Sequence, residues 1–137
     1  MEIEINWLAV VVATIASMAI AGVWYADFAF GKPWKKLTKI DAKKSEQTVK
    51  TSMTIVLVVN FFTAIVFAAA ISIAANHFGD SSAWLALATG FVLWLAFSAT
   101  TLLTHNLFEQ KPLSLTAINN GYQLALFMVM ALIIGVM

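Results

Sequence analysis

Four long runs of apolar residues, separated by short polar segments, dominate the sequence. They extend from about Ile5 to Phe30, Thr51 to Ala75, Ala83 to Thr104 and Leu113 to Val136. A helix that crosses the hydrocarbon core of a bilayer needs roughly 20 apolar residues, so each run predicts a transmembrane helix. The sequence therefore predicts an all-α integral membrane protein, with residues 1–137 forming one domain in which four transmembrane helices make a compact bundle.

Residues that end or cap helices flank these runs. Gly31 and Pro33 follow the first run and are predicted to end its helix. Short side chains that accept hydrogen bonds favour the position before a helix. The predicted caps are Asp41 for the second helix, Ser81 or Ser82 for the third and Ser114 for the fourth. Because Asp41 lies well before Thr51, the second helix is expected to begin outside the lipid.

The basic residues are all lysines, and they lie in two of the three connections. Of the 8, all but Lys111 belong to the segment 31–50 between the first two runs. Lysine and arginine favour the cytoplasmic side of a membrane. The lysine-rich loop 31–50 is therefore predicted to be cytoplasmic and both termini to be outside. The same lysines can also contact anionic phospholipids.

Composition narrows the class of protein further. Hydrophobic residues make up 61% of the chain and charged residues 11%, whereas soluble domains carry about 25% charged residues. A soluble globular enzyme is thereby excluded. The chain has no cysteine, which excludes a disulfide framework and a thiolate metal site. The net charge of +1 argues against a nucleic-acid partner. We therefore expect no cofactor and no metal.

The first and third runs open with similar sequences. Trp7-Leu8-Ala9-Val10 begins the first and Trp84-Leu85-Ala86-Leu87 begins the third. Because these two helices are predicted to run in the same direction, the similarity suggests two helical hairpins related as a parallel repeat. The alternative, two unrelated hairpins, stays open at this point.

Small residues recur four positions apart in every predicted span. Helices in a bilayer associate largely by close approach through small side chains. The predicted packing residues are Ala9, Ala13, Ser17, Ala21, Ala64, Ala68, Ser72, Ala86, Gly90, Ala117, Gly121 and Ala125. They predict either packing within one bundle or a face for a partner, so a homo-oligomer or a partner membrane subunit is expected besides the lipid bilayer.

Polar and aromatic residues concentrate at the lysine-bearing ends of the spans. His105 and Glu109 are four residues apart and share a helix face, while Asn60 is strongly polar near mid-membrane. Polar groups in a span are costly and indicate function. The candidate residues of one polar site facing the cytoplasm are Trp24, Tyr25, Asp27, Trp34, Asn60, His105, Glu109, Asn119, Asn120 and Tyr122. Interfacial ion pairs, an aromatic belt and interhelical hydrogen bonds are the alternative interpretations.

Several of these residues fall in recognisable motifs. The motifs are Asn6-Trp7-Leu8-Ala9-Val10, Gly22-x-Trp24-Tyr25 and Phe30-Gly31-Lys32-x-Trp34, with a second segment from Phe108-Glu109 to Asn119-Asn120-Gly121-Tyr122. Together they resemble small bacterial membrane proteins grouped as "domain of unknown function 1761". The resemblance implies a four-span protein of the bacterial inner membrane with no established activity, cofactor or catalytic residue.

Three kinds of function compete at this stage. We expect a structural or accessory membrane protein that binds a lipid, a partner subunit or copies of itself. The alternative is a small oligomeric transporter of ions or solutes that uses Asp27, His105, Glu109 and Asn60. A membrane enzyme or cofactor binder, with His105 as a haem ligand, is the third. No nucleophile and base stand together in the sequence, so catalysis is the less expected activity.

Overall fold

The structure, a computed structural model, describes residues 2–137 and is helical apart from short turns. Its helices are α1 (Trp7–Trp24), α2 (Gly31–Thr38), α3 (Ala42–Phe78), α4 (Ala83–Leu93), α5 (Thr100–Phe108) and α6 (Leu113–Val136). A π-helical segment, Trp94–Ala99, joins α4 to α5 without a break. No strand occurs in the described residues. The prediction of an all-α chain is confirmed.

Four of these helical segments are long and apolar enough to cross a membrane. They are Trp7–Trp24, Ala42–Phe78, Ala83–Phe108 and Leu113–Val136. Between 11% and 28% of the apolar window of each segment is buried inside the protein. The remaining surface carries large hydrophobic side chains such as Ile15, Phe62 and Phe97. Exposed apolar surface on this scale suits contact with lipid tails.

Two of the predicted helix caps are present. The Asp41 carboxylate accepts hydrogen bonds from the backbone N–H groups of Lys43 (2.9 Å) and Lys44 (3.2 Å). The Ser82 hydroxyl accepts one from the N–H of Leu85 at 3.3 Å. Ser114, in contrast, was wrongly predicted as a cap, because α6 already begins at Leu113 with no side-chain cap.

The first span ends earlier than its hydropathy predicted. α1 stops at Trp24, and residues 25–30 form an irregular turn. Gly31 begins α2 and does not end α1, which corrects its predicted role. A Cβ atom at Gly31 would lie 2.7 Å from the backbone carbon of Ala26, so only glycine fits this turn. Pro33 lies in the first turn of α2, where its missing N–H breaks no helical hydrogen bond.

The segment 31–50, predicted as a loop, is therefore mostly helical. It contains α2 and the first nine residues of α3, Ala42 to Lys50, separated by a short connection. Lys39 closes α2 with a positive φ of 51°. Because α2 contacts α6, the chain folds back beside α6 at this end.

α6 makes most of the packing contacts, because it lies against α1, α3 and α4. Small residues allow α4 and α6 to approach closely: a Cβ at Gly90 would lie 2.6 Å from the Cβ of Ala131. Phe67 of α3 packs edge-on against Phe127 of α6, with ring centroids 4.8 Å apart. The core between these helices includes Val10, Ala13, Ala64, Phe67, Leu126 and Met130.

The structure places most of the predicted packing residues at helix contacts. The buried ones are Ala9, Ala13, Ser17, Ala21, Ala64, Ala68, Ala86 and Gly90, and the half-buried ones are Ser72, Gly121 and Ala125. Ala117 departs from this pattern and is exposed. It lies one turn before Gly121, which faces the ring of Trp24, the last residue of α1.

Candidate functional site

An open pocket of about 510 Å³ lies at the lysine-bearing end of the molecule, between α2 and α6. We call it the inner pocket. Four of the candidate site residues line it, namely Tyr25, Trp34, Asn119 and Tyr122. The other lining residues are Leu37, Thr38, Leu102, Lys111, Leu115 and Gln123. The inner pocket thus combines aromatic rings, amides and hydroxyls, and Lys111 is its one charged residue.

Tyr25 connects three elements around the inner pocket. It caps the C-terminal end of α1, and its ring lies 5.0 Å from that of Trp34 on α2 and 5.1 Å from that of Tyr122 on α6. Tilted aromatic pairs at this separation are favourable. The Tyr25 hydroxyl donates a hydrogen bond to Oδ1 of Asn119 at 2.9 Å. These contacts fix α2 and the turn 25–30 against α6.

Trp24 packs against residues next to the inner pocket. Its indole Nε1 donates to the backbone carbonyl of Ile118 at 3.1 Å, and its ring stacks on Phe30 with centroids 4.5 Å apart. A Cβ at Gly121 would lie 2.9 Å from the indole ring, so glycine leaves room for it. Trp24 is therefore a packing residue next to the site and does not line the inner pocket.

A second polar contact, outside the inner pocket, joins α3 to α1. Asn60 of α3 is buried, and its Nδ2 donates to the hydroxyl of Ser17 at 2.9 Å. The Ser17 hydroxyl in turn donates to the carbonyl of Thr14 at 2.6 Å. Asn60 therefore joins α3 to α1.

The three ionisable candidates lie outside the inner pocket. Asp27 is exposed and pairs with Lys35 at 2.8 Å. The hydrogen bond and charge of Lys35 hold the pKa of Asp27 below its usual value. Glu109 pairs with Lys111, whose hydrogen bond and charge lower the pKa of this carboxyl in the same way. His105 is exposed on α5. The expected convergence of these three residues with Asn119 and Tyr122 does not occur.

Asn120 faces the third span and not the inner pocket. Its backbone carbonyl accepts a hydrogen bond from Nε1 of Trp94 at 3.1 Å, and its Nδ2 donates to the carbonyl of Ala99 at 3.5 Å. Its Oδ1 is enclosed and has no hydrogen-bond partner in the range 2–137. Asn120 thus stands beside the π-helical segment, where the regular pattern of backbone hydrogen bonds changes.

Two features of this end were missed by the sequence analysis. Asn106, buried next to His105 along the chain, donates from Nδ2 to the Thr116 hydroxyl at 2.9 Å and joins α5 to α6. Its polarity within an apolar run was the available signal. Gln123 and Lys111 were not assigned to a site, yet both line the inner pocket.

A larger pocket, of about 990 Å³, opens at the opposite end of the molecule. Glu2, Glu4 and Asp80 are among its lining residues. Among residues 2–137, no group of three His, Asp or Glu side chains is placed to hold a metal ion. This pocket is therefore lined by acidic residues, whereas the lysines lie at the opposite end of the molecule.

The structure defines a small helical protein that has four helices apolar enough to cross a membrane and a pocket at its lysine-bearing end. Residues 8–135 match the family described as "Protein of unknown function (DUF1761)". The chain belongs to this family, which confirms the resemblance seen in its motifs. Neither a curated protein nor a solved structure matches the chain.

Proposed function

We propose that this protein is an accessory membrane protein that holds an anionic lipid by its head group in the inner pocket. In this proposal residues 1–137 form a single domain, a bundle of four transmembrane helices, whose lysine-bearing end is cytoplasmic and whose termini are outside. Lys111 and α2 line the same pocket, which supports placing all the lysines at one end.

The main support for the proposal is the set of residues that line the inner pocket. Its lining offers Trp34 and Leu37 for apolar contact and the amide of Asn119 for hydrogen bonds. Lys111, its one charged residue, pairs with Glu109 and would exchange that partner for the anion of the ligand. A cleft of this kind suits a ligand that is part apolar and part anionic. The nearby lysines favour the same ligand, because each basic residue near an anionic membrane surface contributes about 1 kcal/mol of attraction.

The geometry of α2 fits this role. Trp34 and Leu37 are partly buried and line the inner pocket, while Lys32 and Lys36 are exposed. A short helix with an aromatic and aliphatic face and a lysine face is typical of the membrane interface. α2 therefore stands where a lipid head group would meet the pocket.

The transport alternative loses its main support. It required Asp27, His105, Glu109 and Asn60 to line a shared cavity. The first three are exposed outside the inner pocket, and Asn60 is buried against Ser17 of α1. A binding role needs only the residues that do line the pocket, so the geometry favours it over transport.

Fluorine NMR of 5-fluorotryptophan-labelled protein in detergent micelles tests the proposal. The chain has 5 tryptophans, and the variant Trp34→Phe assigns the resonance of Trp34. Titration with phosphatidylglycerol should shift this resonance in a saturable way, and phosphatidylcholine should not. Trp84 is exposed at the start of α4, at the end of the molecule away from the inner pocket, and its resonance serves as the control. Equal shifts with both lipids, or no shift at Trp34, would refute the proposal.

A further inference from the structure

One hydroxyl in the inner pocket has an unused proton. Tyr122 is 8% exposed and lines the pocket, yet within the described range its hydroxyl donates to no acceptor. The enclosed side-chain atom without a partner in that range is Oδ1 of Asn120, so the Tyr122 hydroxyl is not sealed in. Because Tyr122 lines the inner pocket, its hydroxyl is available to a ligand there. A buried donor in a membrane protein needs an acceptor.

Side chains next to Tyr122 also have hydrogen-bonding groups that are not used. The Tyr25 hydroxyl gives its proton to Asn119, so its oxygen remains able to accept, and the Nδ2 donors of Asn119 remain free. The inner end of the pocket therefore offers a donor and an acceptor within one small region.

A hydroxyl group of a ligand can pair with both groups, because it accepts one hydrogen bond and donates another. An ammonium group does not, since it cannot accept the Tyr122 proton and finds no carboxylate among the lining residues. We propose that the inner end of the pocket, at Tyr122 and Tyr25, binds a free hydroxyl of the ligand. The ligand class is then an anionic lipid with a glycerol-type head group. This inference rests on the proposed function and specifies its ligand.

A matched pair of lipids tests the inference on the unmodified protein. Phosphatidylglycerol and phosphatidylpropanol have the same charge and differ in the head-group hydroxyls. Native mass spectrometry of the detergent-released protein, titrated with each lipid, gives their apparent dissociation constants. We expect phosphatidylglycerol to bind about two- to tenfold more tightly, the range that one net hydrogen bond supplies. Phosphatidylcholine is the uncharged reference.

Tyr122→Phe removes the hydroxyl and keeps the ring. In this variant the preference for phosphatidylglycerol over phosphatidylpropanol should fall to about one. Thr116→Val is the matched control, because Thr116 is a buried hydroxyl residue of the same helix that does not line the inner pocket. It should keep the preference. A preference that survives Tyr122→Phe unchanged would overturn the inference.

The outcomes separate this inference from the proposed function. If both anionic lipids bind equally and more tightly than phosphatidylcholine, the hydroxyl site is wrong and anionic lipid binding stands. If all three lipids bind alike, the proposed function fails as well. Free glycerol phosphate, added as a competitor, separates two sources of the same head group: displacement of the lipid supports a soluble ligand, and retention supports a membrane lipid.

Discussion

Replacing Gly90 by alanine tests whether close packing of α4 on α6 holds the molecule together. The new Cβ would lie 2.6 Å from the Cβ of Ala131 and 3.3 Å from the carbonyl oxygen of Phe127. Carbon atoms in good contact are about 3.5–4.0 Å apart, so α4 and α6 must separate by about 1 Å along this line. Neither obstructing atom can rotate away, because one is a backbone oxygen and the other is a Cβ.

The size of the effect follows from two opposing terms. Overpacking a close contact costs about 1–3 kcal/mol of the free energy of unfolding. Alanine returns up to about 1 kcal/mol over glycine through helix propensity. Gly22→Ala is the matched control, since a Cβ at Gly22 meets nothing within 4 Å. The propensity term is common to both variants, so Gly90→Ala should be about 1–3 kcal/mol less stable than Gly22→Ala.

Unfolding by sodium dodecyl sulfate in mixed micelles, followed by circular dichroism, measures this difference. The wild-type protein should lie between the two variants or level with Gly22→Ala. Equal free energies of unfolding for Gly90→Ala and Gly22→Ala would refute the argument, because they would show that α4 and α6 are not held at the distance the structure gives.

Three further predictions concern the lysine-bearing end. Gly31→Ala should open the turn 25–30, because its Cβ would lie 2.7 Å from a backbone carbon of Ala26; the fluorine resonance of Trp34 should move and lipid titration should no longer shift it. Asp27→Asn should lower the melting temperature slightly at pH 7. Since Lys35 depresses the pKa of Asp27 in the folded state, this difference should shrink as the pH falls through the ordinary aspartate pKa of 3.8 and vanish once the pH lies below the depressed pKa of the folded state; a difference that persists there would contradict it. A double-mutant cycle on Asn106 and Thr116 should give a coupling of about 0.6–1.7 kcal/mol in the same unfolding assay, and additive losses would contradict their hydrogen bond.

The ends of helices show what hydropathy can and cannot predict. Asp41 and Ser82 were found as caps because a short polar side chain before an apolar run has a local, physical reason to be there. The end of α1 at Trp24 was missed, since apolar residues continue through the turn to Phe30. Hydropathy records where the chain is apolar and not which backbone angles it adopts.

The candidate site was predicted in part for a related reason. Tyr25, Trp34, Asn119 and Tyr122 were grouped by depth in the membrane, which the lysines indicate. Their contact depends on α2 folding back onto α6, for which the sequence held no clear signal. Polar residues can be ranked by depth from sequence, but which neighbours they meet depends on the path of the connecting chain.

The rotation of the third span could not be predicted. From Gly90 onward, the residues of this helix that meet α6 or the inner pocket beside it lie four or eight positions apart through the π-helical segment, namely Trp94, Leu102 and Asn106. A regular helix repeats every 3.6 residues, and would turn Phe97 inward, but Phe97 is exposed. The altered spacing turns Asn106 inward and leaves His105 outside.

The shortness of α1 has a consequence for the membrane around the protein. Its 18 residues span about 27 Å, less than the roughly 30 Å of a typical hydrocarbon core, whereas the 24 residues of α6 span about 36 Å. A bilayer adapts to such hydrophobic mismatch by thinning beside the shorter helix. The leaflet next to the turn 25–30, where Phe28 is exposed, would then dip toward the bilayer centre. Lipid head groups there would lie at the depth of the inner pocket, and the protein would favour membranes with short acyl chains.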